Sequence, residues 1–228
     1  MKFVSAIILI ILLLGGQSGF SQGFVNLDFE SAKIIPDPDS PYYPYGIAST
    51  NALPGWTVYL GGNQASSITY NAPAVGSTWV SLIATNVASW SPISGKYSVL
   101  LQGGFYSGNP PTAAISQTSL VPVSAASLLF EAQPGPGALE VSLGGQDLNF
   151  FALATGATYT LYGADISVFA GQTKTLAFSA LQDLDQYNGW NIDNIQFSST
   201  PVPEPGMLGL FALGGVLLGL HRWKRTSR

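Results

Sequence analysis

The sequence predicts an all-β protein: an antiparallel β-sandwich over residues 22–200, flanked by an apolar N-terminal helix and an apolar C-terminal helix. Three observations predict it. No stretch between residues 22 and 200 keeps a helical periodicity, many short stretches alternate apolar with polar residues, and clusters of glycine, proline and asparagine separate these stretches. Alternation indicates strands with one buried face and one wetter face, as in antiparallel sheets. Roughly eight to ten such strands favour a sandwich.

Residues 1–21 have the pattern of a secretory signal peptide. Lys2 precedes an apolar run over residues 3–14, and small residues follow up to Ser21. Cleavage after Ser21 would place Gly19 at position −3 and Ser21 at position −1, where signal peptidase sites prefer small residues. The alternative is a buried helix or an uncleaved anchor. The run is not amphipathic, which favours the signal peptide.

Alternating stretches and turn residues predict the strands between the two ends. Residues 25–29, 97–101, 139–143 and 176–178 each alternate apolar and polar side chains. Gly144-Gly145 follows the third of these stretches and predicts a tight hairpin into a strand over residues 146–151.

The last predicted strand carries apolar residues on both of its faces. Trp190 and Ile192 share one parity, whereas Ile195 and Phe197 share the other. A regular strand cannot place all four on one face. We therefore expect either a bulge near Asp193-Asn194 or burial on both faces.

The composition excludes several classes of function. The chain has no cysteine, which excludes thiolate catalysis and cysteine metal sites. Its only histidine, His221, lies beyond the predicted domain, so the domain cannot form a Ser-His-Asp triad or a histidine metal site. Residues 22–200 contain three lysines and eleven acidic residues, a net charge of about −8. This charge argues against nucleic acid as a partner.

The C-terminus has three consecutive parts. A proline-rich segment at 201–205 ends the preceding strand, and an uncharged run of fifteen apolar or glycine residues follows at 206–220. This run is short for a bilayer span, which needs about 20 residues. The end is basic, with an aromatic residue that suits the membrane interface and cations that suit the cytoplasmic side: Arg222, Trp223, Lys224 and Arg225.

This tripartite tail, residues 201–228, resembles the PEP-CTERM sorting signal, with Pro203, Glu204 and Pro205 as its namesake motif. The resemblance implies recognition by an exosortase, a membrane transpeptidase-like enzyme. It also implies transient anchoring in the inner membrane through the C-terminal helix. The destination it implies is the cell surface or extracellular matrix of a Gram-negative bacterium that makes extracellular polysaccharide. The alternative is a plain single-pass anchor with a proline-rich stalk.

Scattered positions in the domain resemble the framework of jelly-roll carbohydrate-binding modules and galactose-binding-like domains. They are residues 26–30, residues 53–56 and residues 189–195. The resemblance implies a jelly-roll sandwich whose first and last strands lie together. It also implies a structural Ca²⁺ held by Glu30 and Asp193, an ion whose other ligands can be backbone carbonyl oxygens. The alternative is that both are ordinary turn or edge acids.

Aromatic side chains in predicted loops are candidates for sugar binding, because their faces stack on sugar C–H groups. Tyr42, Tyr43 and Tyr45 lie in a proline-flanked extended segment, and Trp90 lies in a loop. The alternative is that they cover the ends of the sandwich. The tryptophans predicted to belong to the core are Trp56, Trp79 and Trp190.

These observations predict an exported, non-enzymatic protein of the cell surface or matrix, structural or adhesive, with weak binding to extracellular polysaccharide. One alternative is a dedicated carbohydrate-binding module with a defined sugar groove. The other is a glycosidase with a pair of catalytic carboxylates. The candidate carboxylates for that enzyme are Glu131, Glu140, Asp183 and Asp185. We predict no catalytic residue and no cofactor besides the structural Ca²⁺.

Overall fold

The computed structural model describes residues 23–73, 76–105, 108, 110–186 and 188–202. The predicted signal peptide and both predicted flanking helices lie outside these residues. So do the sorting motif Pro203-Glu204-Pro205 and the basic C-terminal end. Within the described part of the chain, no helix is both long and apolar enough to cross a membrane.

The described residues form two sheets, with strands numbered along the chain. The eight-stranded sheet contains, in spatial order, β1 (Gly46–Ala48), β4 (Ser67–Tyr70), β5 (Thr78–Ile83), β6 (Ser98–Gly103), β14 (Trp190–Ser198), β8 (Ser127–Pro134), β12 (Thr160–Asp165) and β11 (Phe150–Thr155). The six-stranded sheet contains β10 (Gln146–Asp147), β9 (Leu139–Leu143), β13 (Thr173–Leu181), β7 (Thr112–Leu120), β2 (Thr57–Leu60) and β3 (Asn63–Gln64). Neighbouring strands are antiparallel except β4 and β5, which are parallel. A short α-helix (Ser49–Ala52) and a 3₁₀ turn (Ser167–Phe169) complete the elements.

The core lies between the two sheets. On β8 and β13 every second side chain is buried, and the polar residues between them point away from the core. Phe130 of β8 meets Phe178 of β13 across the interface, with ring centroids 5.2 Å apart in an edge-to-face arrangement. Burial of each such side chain contributes about 1.5–3 kcal/mol. The predicted antiparallel β-sandwich is confirmed.

Several predicted elements appear where the pattern placed them. The stretches at 97–101, 139–143 and 176–178 fall in β6, β9 and β13, and the Gly144-Gly145 turn joins β9 to β10. The pairing of β14 with β8 shifts register between Asp193 and Gln196, which is the expected bulge. The strand predicted over 146–151 is instead divided, because β10 ends in one sheet and β11 begins in the other.

The prediction of a strand at residues 25–29 is wrong. Asn26 and Phe29 have φ angles of 51° and 57°, so the backbone turns twice where a strand would run straight. Asn26 accepts a hydrogen bond from the Trp56 indole N–H on its backbone oxygen (3.0 Å), which fixes the first turn against the core. The segment still lies beside the last strand, because the Ile195 N–H donates to the Leu27 carbonyl oxygen (2.9 Å).

Candidate functional site

A row of paired residues crosses the outer face of the eight-stranded sheet. Ser81 pairs with Leu100, Leu100 with Asn191, and Asn191 with Gln133. Directly paired residues of neighbouring strands point to the same face, and the neighbours of Leu100 along β6 pack in the core. The row therefore faces away from the core. It is nevertheless buried or half-buried. Residues 84–97, here called the β5–β6 loop, lie over its Asn191 and Gln133 end.

Side-chain amides of the sheet hold this loop. Gln133 Nε2 donates to the Ser89 carbonyl oxygen (3.0 Å), and Asn191 Nδ2 donates to the Ser91 carbonyl oxygen (2.8 Å). Asn191 is fully buried, and its Oδ1 accepts from the Ser98 hydroxyl (2.8 Å). These hydrogen bonds satisfy the buried amide of Asn191 and also a backbone carbonyl of the loop.

Trp90 lies on the covered sheet because two glycines leave room for its ring. A Cβ at Gly189 would lie 2.8 Å from Trp90 Cζ2, and one at Gly135 would lie 3.1 Å from Trp90 Cη2. The backbone turn before the ring is closed by two hydrogen bonds between Val87 and Trp90, of 2.8 and 2.9 Å. The indole is therefore packed against backbone on one side.

An open cleft of about 390 Å³ lies beside Trp90. Pro134 and Pro136 contribute apolar surface to it, and Gln102 and Gln133 contribute amides. None of the described residues that line this cleft is charged. An aromatic ring, apolar walls and a few amides are what a neutral sugar requires.

Asn188 lines the cleft and has a buried side-chain oxygen without a hydrogen-bond partner. Its Nδ2 donates to the carbonyl oxygens of Ala138 (2.9 Å) and Leu181, which uses both amide protons. Its Oδ1 is buried without a hydrogen-bond partner. An unsatisfied buried acceptor costs about 1–3 kcal/mol.

The other half of the β5–β6 loop covers an acidic pocket of about 190 Å³, lined by Asp28, Glu30, Ser94, Gly95, Asp193 and Asn194. Asp193 is only 1% exposed. Its Oδ2 accepts from the Ser94 N–H (2.9 Å) and its Oδ1 from the Asn194 N–H (2.7 Å). The bulge in β14 turns Asn194 to a φ of 47° and so delivers the second donor.

Burial raises the pKa of Asp193 from 3.8 to about 7. The two backbone N–H groups act in the opposite direction, because they stabilise the charged form. The negative charges of Glu131 and Glu30 raise the pKa further. Near neutral pH, this carboxyl therefore exchanges between its neutral and its charged form.

Glu30 accepts hydrogen bonds from the same loop; it belongs to residues 23–45, here called the N-terminal segment. Its Oε1 accepts from the Lys96 N–H (2.6 Å) and the Tyr97 N–H (2.9 Å), which leaves Oε2 for other partners. A Cβ at Gly95 would collide with the Glu30 carboxylate, and the φ of +60° also suits glycine at this position.

Glu131 completes the acidic group from β8, where it pairs with Asp193. Its Oε1 accepts from Asn194 Nδ2 (3.1 Å), whereas its Oε2 is buried without a partner. The sequence offered Glu131 only as a glycosidase candidate. Its place beside Asp193 depends on the register of β8 and β14, which the sequence does not give.

The pocket contains some of the oxygen ligands that a Ca²⁺ site requires. The structure brings Glu30 and Asp193 to one pocket, as the resemblance implied. Among the described residues, however, no three acidic or histidine side chains are close enough together to hold a metal ion. Two carboxylates fit Ca²⁺ only if backbone carbonyls and water supply the remaining oxygen ligands.

The predicted tyrosine cluster lies apart from the cleft. Tyr43 and Tyr45 are 70% and 58% exposed, and Tyr42 packs on Trp79 in a tilted arrangement with ring centroids 4.2 Å apart. Trp79 was predicted as core, but it is half-buried on the outer face of β5, where it pairs with Gln102. Trp56 and Trp190 are core residues, as predicted.

The cleft itself could not be assembled from the sequence. Its walls come in part from Pro134-Gly135-Pro136 and from Asn188-Gly189, two clusters of turn residues that are more than fifty positions apart in the sequence. The structure joins them through the Gly135 N–H, which donates to the Gly189 carbonyl oxygen (2.7 Å). Of the four aromatic candidates, Trp90 alone lines this cleft.

Comparison with known families finds one match, which covers the tail. Residues 201–225 match the PEP-CTERM protein-sorting motif. The predicted sorting tail is thereby confirmed, and the match supports an exported, membrane-processed substrate of an exosortase. Comparison with curated proteins finds no match to this chain.

Proposed function

We propose that this exported chain is a non-enzymatic glycan-binding protein of the cell surface or extracellular polysaccharide of a Gram-negative bacterium. The sorting motif supports export, and the cleft beside Trp90 supports the binding role. In this proposal the cleft attaches the domain to polysaccharide, so that the protein is structural or adhesive.

The observation that carries the proposal is the uncharged lining of the cleft. The domain carries a net charge of about −8, yet the described residues that line the cleft present only uncharged groups: apolar surface, amides and the Ser89 hydroxyl. Such a site favours neutral sugars, because these described residues include no cation to pair with a uronic acid. Its volume of about 390 Å³ suits one or two sugar rings.

We expect Trp90→Ala to reduce glycan binding by about fivefold or more, because loss of one stacking face removes about 1–3 kcal/mol. The measurement is a glycan array probed with the exported chain, followed by titration of the best neutral polysaccharide.

Tyr43→Ala is the matched control, since it removes an exposed aromatic ring outside the cleft. If Tyr43→Ala or Tyr42→Ala weakens binding and Trp90→Ala does not, the tyrosine cluster is the binding site instead. If no glycan binds, the proposed function fails.

We propose that the chain has no enzymatic activity. Glu131 and Asp193 are paired on neighbouring strands, and Asp193 is almost fully buried. A pocket of about 190 Å³ in front of Asp193 is small for a sugar with its leaving group. Hydrolysis of any polysaccharide that binds would contradict this proposal.

The acidic pocket supports a second proposal, a structural Ca²⁺ on Glu30 and Asp193. The pocket contains a buried carboxylate, and the charges that act on it, from Glu131 and Glu30, are both negative. A cation bound there would relieve this repulsion and attach the N-terminal segment to β14.

Processing of the tail is expected to depend on the sorting motif. Replacement of Pro203, Glu204 and Pro205 by alanine should leave most of the chain as full-length precursor in the membrane fraction. Ser199→Ala, which lies outside the matched residues, should be processed normally. Immunoblots of fractions from hosts with and without exosortase measure both forms. Equal processing in the two hosts would refute exosortase dependence.

A further inference from the structure

We propose that Glu30 and Asp193 position Trp90 from a distance, because they hold the second half of the β5–β6 loop on the sheet. The link to ligand affinity rests on the proposed glycan-binding function. The positioning itself concerns only the loop and can be measured without a ligand.

The two halves of the loop belong to two different sites. Residues 88–90 line the cleft, whereas Ser94 and Gly95 line the acidic pocket. Only residues 91–93 separate them, so the Cα atoms of Trp90 and Ser94 are at most about 14 Å apart. The position of one half therefore restricts the position of the other.

Two carboxyl groups attach the second half of the loop. The backbone N–H groups of Ser94, Lys96 and Tyr97 donate to Asp193 or Glu30. These two side chains therefore fix three backbone groups within four residues. The first half of the loop receives only neutral amide donors, from Gln133 and Asn191.

The carboxylates also come from parts of the chain that are distant in sequence. Glu30 belongs to the N-terminal segment, and Asp193 belongs to the central strand β14. The loop is thus fixed from two sides. The Trp90 ring contacts the sheet at Gly189 and Gly135, which have no side chains to restrain it. The position of the ring therefore depends on the backbone of the β5–β6 loop.

Glu30→Ala in the exported chain tests this proposal, because Glu30 is exposed and its truncation spares the core. We expect hydrogen exchange of amides 87–97 to accelerate about tenfold or more, including those at residues 87–90. Glu30→Gln should restore near-normal exchange, since the amide Oε1 can still accept both N–H groups. Asp147→Ala, an exposed acid on the other sheet, should change nothing.

The outcomes separate this proposal from the function of the cleft. Faster exchange confined to residues 94–97 would overturn it, because Trp90 would then be held independently. Faster exchange at residues 87–90 together with about tenfold weaker binding of the array-selected polysaccharide supports both proposals. Faster exchange at 87–90 in a chain that binds no glycan supports the positioning role and refutes the glycan-binding function.

Discussion

With chelator present, the free energy of unfolding should fall as the pH rises from 4 to 8, and Asp193→Asn should abolish most of that fall. The folded protein holds the pKa of Asp193 near 7, whereas the unfolded chain has the ordinary value of 3.8. Stabilisation by the bound proton is therefore complete below pH 3.8 and is lost as the pH rises through 7. A tenfold change in proton affinity corresponds to about 1.4 kcal/mol, so the loss reaches at most about 4 kcal/mol.

Denaturant titrations at pH 5 and pH 8 measure this difference. Glu140→Gln, which removes a carboxylate from β9 in the other sheet, should keep the wild-type pH dependence. Equal stability of the wild type at both pH values would show that burial does not raise the pKa of Asp193.

The same titrations with added Ca²⁺ test the proposed metal site in the acidic pocket. Millimolar Ca²⁺ at pH 8 should restore stability to the wild type and not to Asp193→Asn, because the cation replaces the proton as partner of the buried carboxylate. A pH dependence that Ca²⁺ leaves unchanged would remove the metal proposal and retain the effect of burial.

Phe130→Ala should destabilise the domain by about 3–5 kcal/mol. Phe130 is fully buried and connects the two sheets: its ring contacts Phe150 and Tyr162 of its own sheet and Phe178 of the other. Truncation removes these three aromatic contacts and leaves a cavity. The surrounding strands cannot move in to fill it, because they are held by strand pairing and by close packing in the core.

The midpoint of denaturant unfolding at constant m-value measures this loss. Val123→Ala is the control, because Val123 is 81% exposed and its truncation should change stability by less than about 0.5 kcal/mol. Similar midpoints for the two variants would contradict the packing of the two sheets around Phe130.

Local patterns were sufficient where the structure depends on local geometry. The alternation that predicted β6, β9 and β13 reflects burial of one face. The mixed parity around Asp193 predicted either a bulge or burial on both faces, and the structure has the bulge. The strand predicted at residues 25–29 failed for the opposite reason. Its alternation is real, but the contact of Asn26 with Trp56, about thirty residues away, selects a turned backbone.

The binding cleft depends on contacts that no short pattern contains. Trp90 was a candidate because it is aromatic and in a loop, and it shares that property with Tyr43 and Tyr45. Only the approach of Gly135 to Gly189 distinguishes it, since this creates the surface on which the indole lies. The proximity of Glu30 to Asp193 was available from the resemblance, whereas that of Glu131 required the register of β14.

The position of β14 determines how the domain responds to tension. This strand leads into the sorting tail, and it lies in the middle of the eight-stranded sheet, antiparallel to both β6 and β8. In the proposed function, a pull on the tail with polysaccharide resisting at the cleft would act along the strand and perpendicular to its hydrogen bonds. These bonds would then share the load and break together, which is the arrangement that resists shear.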